Sequence, residues 1–137
     1  MKYAALLLLA IVLPVPIDVP RQPPEKPKIE KPQNTDVDIS GYYIITGTQN
    51  DDKYRGACVV YKIPKGGYLL VYTVEAEQYK GVGVRNGQMM SVGWSTDKLK
   101  GSTLFRISDD GKSWHGVWTS IPVANGTETF HKVKDEN

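Results

Sequence analysis

The side chains able to do chemistry in this 137-residue chain are few, and most stand at a spacing of two. Glu128 lies between Gly126 and Phe130, so in a strand all three share one face. A carboxylate on an inward face needs a donor, and Arg106, Trp118 or Tyr42 could supply one. The two histidines, His115 and His131, fall out of phase with the aromatic positions around them and point away from the core. The single cysteine, Cys58, falls in phase and points inward as a small buried hydrophobe. Cysteine and histidine are thus kept apart, no Ser-His-Asp set presents itself, and a zinc site would have to borrow loop acids such as Asp109 or Asp110. Glycosidase chemistry needs two converging carboxylates, and Glu75 and Glu77 sit at a strand junction instead. No metal, cofactor or catalytic group is expected.

Binding is better provided for. Tyr42, Tyr68, Tyr72, Tyr79, Trp94, Trp114 and Trp118, together with Glu128, could line a cup for a sugar or a flat ring. The same rings could instead fill the lumen, since an eight-stranded barrel has room for side chains or for one small ligand.

The elements that position these residues are short alternating runs divided by turn chemistry, and no helical period of useful length occurs. Eight strands are predicted: 41–48, 54–63, 68–75, 77–85, 88–95, 103–107, 113–119 and 126–133, with one helical turn over 97–100 as an option after Thr96. Asn86-Gly87 between two alternating runs predicts a two-residue type I′ hairpin that pairs Arg85 with Gln88, Gly83 with Met90, Gly81 with Val92 and Tyr79 with Trp94. An aromatic followed two residues later by glycine recurs at Tyr54-x-Gly56, Tyr79-x-Gly81 and Trp114-x-Gly116. That repeat places rings and glycines on one face of successive strands, which suits a tightly curved sheet.

The expected inward face continues with Tyr42 and Ile44, then Cys58 and Val60, then Leu70. Met90 and Val92 extend it, followed by either Leu104 with Arg106 or Phe105 with Ile107. Sequential hairpins of this kind predict an all-β fold, a small antiparallel up-and-down β-barrel of about eight strands over residues 39–134. On the opposite face Val59, Tyr61, Ile63, Leu69 and Val71 form an apolar strip, a candidate surface for a homodimer or another partner.

The first third reads differently. Residues 1–17 carry Lys2 and an apolar run of signal-peptide length, which predicts export to the periplasm, the cell surface or the medium, or else an uncleaved anchor, the only case implying a membrane. Residues 18–38 are a proline-rich linker. Net charge is +2, with 17 basic and 15 acidic residues whose signs are interspersed, so a nucleic-acid partner is not expected.

The order Gly41-Tyr42, Tyr54-Gly56-Cys58-Val60, Tyr68-Leu70-Tyr72, Tyr79-Gly81-Gly83, Met90-Val92-Trp94, Gly116-Trp118 and Gly126-Glu128 resembles the small bacterial domain labelled fibronectin-binding-like, itself similar in layout to the avidin and lipocalin barrels of the calycin class. The resemblance implies a barrel and no particular ligand. The sequence therefore suggests a non-enzymatic exported module that contacts a protein or surface polymer. The alternatives are a calycin-like carrier or sensor of a small aromatic or sugar-like ligand, and an inhibitor or structural accessory protein.

Overall fold

A computed structural model describes residues 37–134; the segment expected to be a signal or anchor and nearly all of the expected linker lie outside the described residues. Eight strands succeed one another: β1 (Gly41–Gln49), β2 (Asp52–Lys62), β3 (Tyr68–Val74), β4 (Glu77–Asn86), β5 (Met89–Ser95), β6 (Lys100–Ile107), β7 (Ser113–Ile121) and β8 (Ala124–Lys132). Each pairs antiparallel with the next, and β8 returns to β1 from Tyr43↔Lys132 to Gly47↔Glu128, which closes the barrel and leaves no sheet edge.

The helical turn offered after Thr96 does not form. Thr96 Oγ1 instead accepts from the Lys98 and Leu99 amides (3.2 and 3.0 Å), a local hydroxyl-to-backbone closure that lets β6 begin at Lys100. The central hairpin also differs from its predicted register. Asn86 pairs with Met89, and the two turn residues are Gly87 and Gln88, with Gly87 at φ 61°. A glycine of positive φ at the first turn position is the requirement of a type II′ turn. Gly83 consequently faces Val92 and Gly81 faces Trp94. The shift is by two residues, so every side chain keeps its face.

Most of the predicted inward face is inward, and β6 resolves to Phe105 and Ile107 with Leu104 and Arg106 outside. The exception is β1, where Tyr43 and Ile45 are fully buried and Tyr42 stands outside at 44% exposure. Tyr42, Tyr43, Ile44 and Ile45 are all apolar enough for either face, so alternation alone could not choose a phase. Ile39, just before β1, enters the core with Tyr43 and Ile45.

One end of the barrel is sealed. Trp114 stacks on Phe130 with ring centres 5.1 Å apart, Tyr43 lies 4.8 Å from Trp114, and Phe105 meets Phe130 edge-on at 4.9 Å. The segment before β1 caps this cluster, tied down by Tyr43 Oη donating to Ile39 O and by Arg85 Nη1 donating to Val37 O. Trp114 Nε1 donates to Gly111 O, which binds the β6–β7 loop to the same plug. On the outer wall, Tyr61 pairs with Leu69, Val59 with Val71 and Leu69 with Val82, so the apolar strip is continuous over β2 to β4.

Candidate functional site

The opposite end is open. Between the β1–β2, β3–β4 and β5–β6 turns lies a cup of about 710 Å³, walled by Tyr54, Tyr79, Trp94 and Trp118, with Glu128 among them. Its volume falls in the range typical of small-molecule sites.

Register explains why rings wall this cup without filling it. Tyr54 on β2 sits beside Gly47 on β1, and Gly47 sits beside Glu128 on β8. A Cβ at Gly47 would lie 2.4 Å from the tyrosine ring, so the ring lies flat across the glycine and its hydroxyl reaches Glu128 Oε1 at 2.8 Å. Trp94 lies over its β6 neighbour Gly101 in the same way, the virtual Cβ being 2.4 Å from the indole, and its Nε1 donates to Thr103 Oγ1 at 3.0 Å. Trp118 lies over its β8 neighbour Gly126. Three rings are thus laid sideways along the wall by glycines on adjacent strands, and the axis stays clear. Tyr79 completes the belt, stacked on Tyr72 at 4.7 Å and 5.9 Å from Trp94.

Glu128 is the electrostatic centre of the cup. It is only 5% exposed, and loss of hydration pushes its pKa up to about 7, while the Tyr54 hydrogen bond pulls the other way. Burial, reinforced by the Glu128 charge, raises the Tyr54, Tyr72 and Tyr79 phenols, which therefore remain protonated donors at neutral pH. Burial also raises the Cys58 thiol, leaving it a poor nucleophile. Glu128 Oε2 is buried and receives no hydrogen bond from the described residues. The Trp118 indole N–H lies toward the Tyr54 oxygen without closing a hydrogen bond.

Of the residues expected to bind a ligand, Tyr79, Trp94, Trp118 and Glu128 meet in the cup. Tyr72 backs the wall behind Tyr79. Tyr68 pairs with Gly83 toward the sealed end, Trp114 is wholly buried in the plug, and Tyr42 is on the outer surface because β1 has the other phase. The expected donors to Glu128 are corrected too. Arg106 points outward, Tyr42 lies outside, and Tyr54 holds the carboxyl instead. Tyr54 was signalled by its place in the aromatic-x-glycine repeat, but its bond to Glu128 depends on β1 lying between them, which needs barrel closure to be known. His115 is on the outer face against Thr129 Oγ1, and no set of three or more His, Cys, Asp or Glu side chains among the described residues could hold a metal ion.

No family model and no curated protein matches the chain. Solved structures do. A redesigned β-barrel, mFAP1, bound to DFHBI is similar at a TM-score of 0.57 and 13% identity, covering 69% of this chain and 94% of that one. A de novo designed fluorescence-activating β-barrel is similar at a TM-score of 0.56 and 13% identity, covering 69% and 93%. The redesigned barrel mFAP0, also bound to DFHBI, gives 0.55 and 15%, covering 69% and 98%. At such identities the likeness is one of fold: a small, closed, eight-stranded antiparallel barrel.

Proposed function

We propose that this protein is a carrier or sensor of a small, flat ligand held in the open end of its barrel. The observation that carries the reading is the placing of Tyr54, Trp94 and Trp118 over wall glycines, which keeps about 710 Å³ clear beside Glu128, one of whose carboxyl oxygens no described residue satisfies. Barrels of similar fold that bind the flat molecule DFHBI lend support. The sequence resemblance to calycin-class barrels points the same way, with residues 1–17 directing export and 18–38 acting as a tether. Val74→Trp, at the wall of the cup, tests the site: a panel of aromatic and saccharide probes should include binders that the native chain takes up and the variant, equally folded, does not. Equal binding by both would place the ligand elsewhere.

A second reading has its own observation. The outer strip of Val59, Leu69 and Val71 runs into Tyr61, Val82 and Val84, which are 52%, 57% and 69% exposed, and supports contact with a second copy or another protein. Sedimentation across a concentration series tests it, since a Tyr61→Lys, Val82→Lys variant should remain monomeric where the native chain self-associates.

A further inference from the structure

We infer that the cup takes an organic cation: a primary or secondary ammonium, or an amidinium, on a flat body, with its charge beside the Glu128 carboxyl and against the faces of the surrounding rings. This rests on the carrier reading above and narrows it to a class of ligand.

The charges facing Glu128 decide the sign. From β2 come Tyr54 and Cys58, from β3 Tyr72 and from β4 Tyr79, and all four are held in their neutral forms. From β7 come Gly116 and Trp118, which do not titrate. Among the described residues no lysine, arginine or histidine lies close enough to the carboxyl to favour its charge. A buried carboxylate without a counter-ion is a costly arrangement, and the described residues supply a single hydrogen bond to it, from Tyr54. What the protein omits, a ligand can bring.

The mouth agrees. Asp52, Glu75 and Glu77 stand at the rim against Lys53 and Lys98, so with Glu128 ionised the cup is net acidic although the whole chain is formally +2. Entry of a cation is favoured and entry of an anion opposed. The walls add a third preference, because indole and phenol faces attract cations through their quadrupoles, most strongly when both are desolvated. A neutral flat ligand would satisfy the rings but leave an ionised Glu128 without a counter-ion. A cationic ligand satisfies both, and below neutral pH its binding releases the Glu128 proton to solvent.

Calorimetric titration of the full chain with tryptamine, with its neutral alcohol analogue tryptophol and with indole-3-acetate tests the assignment. At pH 8 tryptamine should bind about tenfold or more tighter than tryptophol, and indole-3-acetate should bind weakest. Tryptamine affinity should fall by about tenfold for each pH unit below 7, whereas tryptophol affinity should not. Glu128→Gln should erase both the preference and the pH dependence while tryptophol still binds; the pH series on the unaltered chain carries the test if that variant does not fold. Tryptophol binding as tightly as tryptamine at pH 8 would overturn the cation assignment and leave the cup standing. Binding by none of the three would overturn both.

Discussion

The Tyr54 hydroxyl donates to Glu128 Oε1 over 2.8 Å, across a strand whose intervening residue, Gly47, has no side chain to obstruct it. Three strands cooperate in that one contact. It holds the buried carboxyl at the wall of the cup, one oxygen engaged and the other buried without a partner among the described residues.

Tyr54→Phe removes a hydrogen bond that favours the ionised carboxyl, so the Glu128 pKa should rise further, by roughly one unit. A carbon-detected NMR titration of the carboxyl resonance checks this; an unchanged or lowered midpoint would mean that Tyr54 does not bind the carboxylate.

Stability should depend on pH through the same residue. Glu128 ionises near 4.5 in an unfolded chain and near 7 in the fold, so below 4.5 both states hold the proton and nothing is lost. Between 4.5 and 7 the unfolded state ionises first and the fold loses stability, reaching a full cost of about 3 kcal/mol above 7. Glu128→Gln should therefore be close to neutral at pH 4 and stabilising by up to that amount at pH 8, as read from urea denaturation.

The glycines separate by what lies beside them. A Cβ at Gly116 would come within 2.6 Å of the Phe105 ring in the sealed end, whereas Gly93 has nothing within 4 Å on the outer wall. Gly116→Ala should destabilise by about 1–3 kcal/mol, and Gly93→Ala should be neutral or stabilising by about 0.5 kcal/mol. Thermal unfolding of the two variants distinguishes a packed glycine from a replaceable one.

Much of the fold was legible because the chain punctuates itself. Gly, Asn and Asp mark the turns, and aromatic-x-glycine spacing marked the correct face for β2, β4 and β7. Where both faces are apolar the pattern is silent, and β1 took the phase that buries Tyr43 and Ile45. The Asn86-Gly87 pair correctly marked a hairpin, but a II′ turn fits one residue later, and side-chain alternation is blind to a shift of two. Glu128 stood out from sequence as an inward acid. Its partner did not, since Tyr54 and Glu128 are 74 residues apart and become neighbours only when β8 closes on β1. Division of the lumen into a packed half and a hollow half was also beyond sequence, because it depends on which rings lie over glycines and which meet one another.

Gly101→Ala should push Trp94 off the wall and strain the β6–β7 pairing, since the new methyl would fall 2.4 Å from the indole and 2.6 Å from Thr119 O. The ring's way out is into the cup, so ligand affinity should drop by about tenfold or more with the barrel still folded. Affinity equal to that of the native chain would show that Trp94 does not border the ligand.

The chain contains three tryptophans, two in the cup and one in the plug, and their indole N–H signals make the most direct measurement. In a nitrogen-15-labelled sample titrated with unlabelled indole, the signals of Trp94 and Trp118 should move together and saturate, while that of Trp114 stays in place. Movement of Trp114 alone, or of none of the three, would contradict a ligand site in the open end of this barrel.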